Sequence, residues 1–426
     1  MEKTADFHLH SRYSRAVSSQ MTLPVMAEWA LVKGIDILGT GDFTHPLWFK
    51  ELKENLTGEN GIYKIKEKNI PVSFLLSAEI SSIYSQGGRT RRVHNILLAS
   101  SFEKAAMFNA ALLKRKVNLF SDGRPITGLS SYELLKIFKE IDEKGLFIPA
   151  HIWTPWFSLF GANSGFDSLV ECFGDMSEHI VAVETGLSSD PLMNWFFKDL
   201  KGKGIVSFSD AHSPANLGRE LTVVEVDKLD FSSIAQALSG GAGISNTIEF
   251  YPEEGKYHYT GHRNCRVIQK PEETKRLGTI CPVCGKPLTI GVMHRVEQLS
   301  GEIKKPKYEE DDVGLRWVKD EGRPPFISLV PLAEIIAEAN GLEKSSKKVL
   351  SIYQNLVRKF GNELLILTKT RAEDISTFAG EKLAEGITKV RKGDIYIRPG
   401  FDGEYGKVKV WPEKEEKKTA FQEGLF

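Results

Sequence analysis

Cysteine is scarce in this chain, with four among 426 residues. So few thiols exclude a disulfide framework and point to a reducing compartment. Long apolar runs are missing too: no stretch of about 18 apolar residues occurs, so no membrane-spanning helix is expected. The start, Met1-Glu-Lys-Thr-Ala-Asp6, has neither the basic nor the apolar segment of a secretory signal, and a cytoplasmic location is expected. Net charge is absent, since 56 basic residues balance 56 acidic ones. No bulk field therefore draws the protein to nucleic acid, and any such binding depends on local basic clusters. Internal repeats are lacking as well. What remains is ordinary for a soluble globular protein, 41% hydrophobic and 26% charged, with room for roughly two to four domains.

Histidine placement is the informative feature. Six of the ten histidines stand where short apolar runs end, in the company of acids: Asp6-Phe-His8-Leu-His10, Asp42-Phe-Thr-His45, Ala78-Glu79, Val93-His94, Ala150-His151 and Asp210-Ala-His212. Imidazole and carboxylate together are the ligand set for zinc, manganese or iron, and buried clusters of them are unfavourable without a cation. In a strand, residues i and i+2 point to the same side, so His8 and His10 can share an ion, as can Asp210 and His212. Glu79 and Asp210 are suited to bridge neighbouring ions. Such a centre ionises a bound water near neutral pH and stabilises a developing oxyanion, so Asp210, Glu79 and His212 are the candidate catalytic residues. Each histidine alone would read better as a hydrogen-bonded core or surface residue; six at strand ends read as one multinuclear centre.

The organisation fits that centre. Up to about residue 225, short β-branched or aromatic runs (Ile35–Leu38, Val72–Ala78, Val93–Ala99, Leu146–Ala150, Ile180–Glu184, Gly204–Phe208, Leu221–Val226) alternate with helix patterns. One helix begins at Thr22-Leu-Pro24 and ends at Gly34, another runs from Ser130 to Gly145. This alternation predicts an α/β fold with parallel strands, most simply a barrel, whose chemistry lies at the carboxyl ends of the strands. Residues 301–326 are charged and carry Pro306, Pro324 and Pro325, which predicts an exposed connector. Pro331–Gly341 and Ser345–Gly361 predict two helices, and Ile395–Ile397 with Val408–Val410 a hairpin. The expected division is 1–249 barrel, 250–300 small metal module, 301–326 connector, 327–412 helical region with hairpin, and 413–426 charged tail.

A second metal site is written into the module. Gly-His262-Arg-Asn-Cys265 is followed after fifteen residues by Cys281-Pro-Val-Cys284-Gly. Four such ligands complete a tetrahedral zinc site and leave no position for water, so this zinc is structural. His258 and His294 compete with His262 for the fourth position. Cys172 stands alone and is expected to be buried and inert.

At Asp6-Phe-His8-Leu-His10-Ser and Ser-Asp210-Ala-His212 the chain resembles the PHP family of metal-dependent phosphoesterases over residues 5–225. The resemblance implies a distorted (β/α)₇ barrel with a trinuclear centre of divalent ions, zinc with magnesium or manganese as alternatives. It implies that His8, His10, Glu79 and Asp210 hold the first ion, Glu79, His94 and His151 the second, and His212 with Asp42 or His45 the third. Two departures bear on the third: the acid or histidine usual after the first motif is replaced by Arg12 and Arg15, and the usual Thr-Asp-His is Gly-Asp42-Phe-Thr-His45.

Tyr257-His-Tyr-Thr-Gly-His262 through Cys281-Pro-Val-Cys284 and Met-His294-Arg, together with Asp210-Ala-His-Ser-Pro-Ala-Asn-Leu-Gly-Arg-Glu and Leu329-Val-Pro-Leu-Ala-Glu, resemble the endonuclease Q family in order over nearly the whole length. That resemblance implies an archaeal-type DNA repair endonuclease cutting the phosphodiester 5′ to deaminated bases and abasic sites and leaving a 3′-hydroxyl. A lesion buried in the duplex would be flipped out for inspection. Deaminated bases carry a carbonyl where the parent had an amine, so N–H donors suit them.

Arg89, Arg91 and Arg92 before His94, Lys114, Arg115 and Lys116, and Arg219 after the last motif are candidate phosphate contacts. Trp153, Trp156 and Phe157, just after His151, are candidate stacking or wedging residues. The plain alternatives are solvated surface and packing. The tail Phe421-Gln422-Glu-Gly-Leu425-Phe426 resembles a shortened sliding-clamp-binding peptide, with Gln422, Leu425 and Phe426 as anchors; the alternative is a frayed end. A small-molecule phosphatase of the histidinol-phosphate branch explains residues 1–225 but leaves the zinc module and roughly the last hundred residues without a task. An adaptor with a degenerate barrel would lack ligands that are all present here.

Overall fold

The computed structural model describes residues 1–66, 68–301, 303 and 305–412. The clamp-like tail, with Gln422, Leu425 and Phe426, lies outside the described residues.

Local signals set the first elements. Strand β1 (Glu2–Asp6) leads into helix α1 (Leu23–Lys33), which opens with Pro24 in its first turn and stops at Gly34, whose φ of 90° is left-handed. Strand β2 (Ile37–Gly39) pairs parallel with β1 and with the start of β3 (Ser73–Gln86). β3 runs past the expected Ala78 because Gly87-Gly88, both at positive φ, turn it into an antiparallel hairpin with β4 (Arg89–Ala99). Helix α2 (Ser131–Ile141) starts with a capping box between Ser130 and Glu133. It ends at Asp142 rather than at Gly145, because the Asp142 carboxylate accepts from the N–H groups of Ser100 and Gly145.

β5 (Leu146–Pro149) adds antiparallel to β4. β6 (Ala182–Glu184) and β7 (Gly204–Val206) form a separate parallel pair. β8 (Leu221–Glu225) returns antiparallel to β1, and β9 (Ile244–Glu249) to β8. The architecture is thus a distorted α/β barrel with a mixed large sheet, not the wholly parallel one that strand–helix alternation suggested, since several strands are joined as hairpins instead of by crossovers. Aromatics in edge-on and tilted contact fill the layer between sheet and helices: Phe138 lies 5.2 Å from Phe108 and 6.4 Å from Phe147, ring centre to ring centre. Each fully buried phenyl contributes about 1.5–3 kcal/mol. Cys172 is buried, as expected, with its thiol pushed up to about 12 by burial.

The segment 301–326 is not an exposed connector. Lys307–Glu310 and Arg316–Lys319 form a hairpin, and Phe326–Ser328 pairs parallel with β9, so the large sheet is extended by this stretch. Its described charged residues are exposed or half-buried, while Leu315, Val318 and Phe326 are buried. The helices Leu332–Asn340 and Lys347–Phe360 match expectation, as does a hairpin of Tyr396–Arg398 with Lys407–Lys409. Glu363–Thr368, Ala372–Ala379 and Glu381–Lys392 are additional helices. This region is locked to the barrel through a buried ion pair: Lys33 Nζ of α1 lies 2.7 Å from Glu363 Oε2, which also accepts from Tyr353 Oη. Among the described residues no helix is long and apolar enough to cross a membrane.

Candidate metal centre

The strand ends converge as their spacing required. His8, His10 and Asp210 offer ligand atoms within 4.8 Å of one another, and so do Glu79, His94 and His151. Glu79 joins the two groups. Its Oε1 lies 2.6 Å from His94 Nδ1 and 3.2 Å from His151 Nε2; its Oε2 lies 3.4 Å from His10 Nε2 and 3.6 Å from His8 Nε2.

Each imidazole of the first motif is oriented from behind. His8 Nδ1 sits 2.9 Å from Glu184 Oε1 and His10 Nδ1 3.1 Å from Asp42 Oδ1. That leaves both Nε2 atoms, with Asp210 Oδ1, buried and without a hydrogen-bond partner. Buried lone pairs left bare are costly unless a cation takes them, and carboxylate-backed histidines are the usual surround of a bound metal. The residues present therefore fit two divalent ions. Burial works against charge on His8, but Glu184, Asp210 and Glu79 raise its pKa well above the ordinary value. Burial also opposes ionisation of Glu79, yet His94, Arg124 and His8 hold it well below the usual range. Such a field attracts cations.

The backbone is strained at this mouth. Asp42, His151 and Asp210 all adopt positive φ, at 48°, 31° and 46°. His151 is held by its N–H donating to Glu184 Oε2 at 2.7 Å, and Gly186 gives it room, since a Cβ there would fall 2.3 Å from the His151 Cβ. Asp6 braces the last motif by accepting from the N–H groups of Ser209 and Gly218.

The candidate third-site ligands are not gathered. Asp42 is engaged by His10, Ser11 and Ser14; His45 stands at the N-cap position of the helix Pro46–Asn55 without a side-chain cap bond and stacks on Tyr13; His212 Nδ1 lies 2.9 Å from the carbonyl of Asp210. None of them belongs to a ligand cluster among the described residues. Two residues that bear on the site were not singled out in the sequence, Glu184 and Arg124. Glu184 carries the same signal as the other ligands, an acid ending an apolar run. Arg124 lies in a loop and has no such signal.

The knuckle assembles as the Cys-x-x-Cys pattern required. His262, Cys265, Cys281 and Cys284 offer ligand atoms within 4.8 Å of one another, and His258 and His294 stand apart from that group. Burial works against the Cys281 thiolate, but the N–H groups of Cys284 and Val283 hold the thiol down at about 6.

The basic and aromatic candidates divide. Arg91 is buried: it stacks on Phe166 at 4.0 Å, donates to the Gly165 carbonyl and pairs with Glu171, so its role is packing and it is removed from the DNA contacts. Trp153 is also buried, its indole donating to Asn194 Oδ1 at 2.7 Å, which rules out stacking on a base. Trp156 packs edge-on to Tyr257 yet stays half-exposed. It lines an open groove of about 530 Å³ with Arg89, Arg92 and Asn163. Lys114, Arg115 and Lys116 are exposed at the end of the helix Phe102–Lys114. Arg219 donates to the Ser209 and Asp210 carbonyls and so supports the motif loop.

Fold and site together define a distorted α/β barrel with two clusters of histidine and carboxylate at its mouth, a Cys/His knuckle and a helical C-terminal region. Residues 331–394 match the family model described as MJ0043 C-terminal domain. The chain is 37% identical over 272 residues to the uncharacterised protein MJ0043 of Methanocaldococcus jannaschii, covering 62% of this chain but only 32% of that protein. It is 30% identical over 424 residues to YqxK of Bacillus subtilis, covering 95% and 98% of the two chains. Among solved structures it is similar to the lesion-specific endonuclease PfuEndoQ from Pyrococcus furiosus, with a TM-score of 0.81, 31% identity, and 98% and 99% coverage. Endonuclease Q in complex with a 27-mer duplex bearing an abasic lesion gives a TM-score of 0.81 at 33% identity, with 97% and 98% coverage. This chain belongs to the endonuclease Q family.

A buried acid pair lies beside the site. Burial, reinforced by Glu249 and Glu184, holds the Glu220 carboxyl well above its usual range; burial pushes Glu249 up to about 8 despite hydroxyls from Ser207 and Thr247. Both therefore keep protons in the fold that the unfolded chain releases near the ordinary value of 4.5. Stability from this pair is full below 4.5 and declines as pH rises toward 8. Melting curves over that interval should show Glu220→Gln with Glu249→Gln losing less stability than the parent protein; parallel slopes would remove the pair as the cause.

Proposed function

We propose that this protein is a metal-dependent DNA repair endonuclease that hydrolyses the phosphodiester 5′ to uracil, hypoxanthine, xanthine and abasic sites, leaving a 3′-hydroxyl. The observation that carries this reading is the near-full-length match to a lesion-specific endonuclease and to endonuclease Q on a duplex with an abasic lesion. The chain's own residues support the chemistry. His8, His10 and Asp210 would hold one divalent ion, Glu79, His94 and His151 another, with Glu79 between them. Ions held there, zinc with magnesium or manganese as competitors, supply Lewis acidity and make water more acidic. Glu184 and Asp42 fix the imidazole tautomers by taking the far ring nitrogens. Hydrolysis joins the oxygen of water to phosphorus and breaks the bond to O3′, which leaves with a proton. His212, half-exposed at the rim with Nδ1 turned to a carbonyl, keeps Nε2 for proton transfer.

Duplexes carrying one uracil, hypoxanthine or abasic site should be cut, and intact duplex and a phosphomonoester left untouched. Asp210→Ala should lower cutting by about 10³-fold or more, the scale of removing a principal electrostatic contribution, with the fold retained. Cleavage of the phosphomonoester alone would return the protein to the small-molecule phosphatases.

The groove beside Trp156 is suited to a phosphate backbone through Arg89 and Arg92. Arg89→Ala with Arg92→Ala should weaken duplex binding and reduce the slope of log affinity against log salt by about 2, at roughly one phosphate per arginine. An unchanged slope would move the backbone track elsewhere.

Residues 421–426 would dock a sliding clamp, Gln422 anchoring while Leu425 and Phe426 enter an apolar pocket. Their deletion should abolish stimulation by the clamp and spare basal cutting; loss of basal cutting would assign the tail to the fold instead.

A further inference from the structure

The third cation expected beside His212 does not fit this chain, and the residues occupying the space indicate what stands in for it. Asp42, the acid available there, belongs to no group of ligand atoms among the described residues and is engaged elsewhere. Its Oδ1 lies 3.1 Å from His10 Nδ1, and its Oδ2 accepts from Ser11 N at 2.6 Å, Ser11 Oγ at 2.7 Å and Ser14 Oγ at 2.9 Å. His45 is held between Tyr13 and Phe120, at ring distances of 4.6 and 6.2 Å.

Segment 122–125 closes over these residues. Gly123 packs so tightly on them that a Cβ would fall 2.3 Å from both Asp42 Oδ2 and Ser14 Oγ. The segment is pinned on every side: Gly123 N–H donates to the Tyr13 carbonyl at 3.0 Å, Arg15 N–H to Asp122 Oδ1 at 3.2 Å, Thr44 Oγ1 to the Gly123 carbonyl at 3.3 Å, and Ser81 N–H to the Pro125 carbonyl at 3.0 Å. The next side chain, Arg124, reaches into the centre. Its Nη1 lies 3.2 Å from Glu79 Oε2, the oxygen shared with His8 and His10. Glu79 is its one hydrogen-bond partner among the described residues, so the rest of the planar fork is available.

We propose that the Arg124 guanidinium replaces a third metal ion in this centre and binds a non-bridging oxygen of the scissile phosphate. This rests on the endonuclease reading. A guanidinium stays charged at any working pH and matches phosphate with paired donors, so it neutralises charge gathering on the phosphoryl oxygens without a ligand set of its own. The engagement of Asp42 by Ser11 and Ser14 and the presence of Arg12 and Arg15 where an acid would serve a metal agree with this: a site served by arginine needs no third ligand cage.

The test has two arms. Elemental analysis of the full-length protein, loaded with excess zinc or manganese and freed of loose ions, should find two ions in the barrel and one in the knuckle. A third barrel ion in the parent protein overturns the proposal. In the second arm, Arg124→Ala should lower kcat on an abasic duplex by about 10²–10³-fold, leaving the duplex Kd within a few-fold and the ion count unchanged. Arg124→Lys should recover part of kcat by restoring the charge. Parent-like cutting by Arg124→Ala, or a lost ion with loss of activity, also overturns it. If Arg124→Ala does not fold, the parent ion count and Arg124→Lys decide. Should the parent protein fail to cut lesion DNA, the endonuclease reading falls, while the ion count still tests the arginine in place of a metal.

Discussion

One carboxylate holds the site together. Glu79 is buried in the middle of four imidazoles and a guanidinium, and its two oxygens face different partners. A group so placed has little choice of chemistry. Without positive charge on both sides its desolvation would be prohibitive, and with it the carboxylate becomes a rigid bridge. The hairpin of β3 and β4 delivers both ends of this arrangement, because Glu79 and His94 lie on strands paired along eleven residue positions. Sheet register thus sets the spacing of the centre.

Around that bridge a ring of acids does the aiming. Glu184 fixes His8 and also the backbone of His151, Asp42 fixes His10, and Asp6 ties the last motif to the first. Positive φ at Asp42, His151 and Asp210 is tolerated because each residue is over-determined by such contacts or by neighbouring motif loops. The strain is concentrated where side chains must point inward from strand ends.

Much of this was legible beforehand. Histidines at the ends of apolar runs marked most of the side chains that cluster at the mouth, Cys-x-x-Cys marked the knuckle, and Pro24, Gly34 and Ser130 marked helix ends. What failed did so for identifiable reasons. Arg91 was grouped with Arg89 and Arg92, yet a period of two puts Arg92 on the side of His94 and Arg91 on the side of Val93, against Phe166. Trp153 follows His151 in sequence but turns into the core toward Asn194. The segment 301–326 looked like a connector because its charges outnumber its few apolar residues, although three short strands need only those few to be buried. Arg124 was invisible because its place beside Glu79 comes from four hydrogen-bonded tethers on its loop, and no pattern of residue types encodes them.

The helix Val292–Ser300 follows the knuckle and carries a buried arginine. Arg295 reaches back more than a hundred residues to the carbonyls of Phe160 and Phe166 and to Asp167, on the loop that walls the groove. A module with no open coordination position is thereby made the buttress of the catalytic rim. Were an ion held there, withdrawing it would let slack travel through a single side chain to the wall of the groove, and the knuckle would serve the site by stiffness.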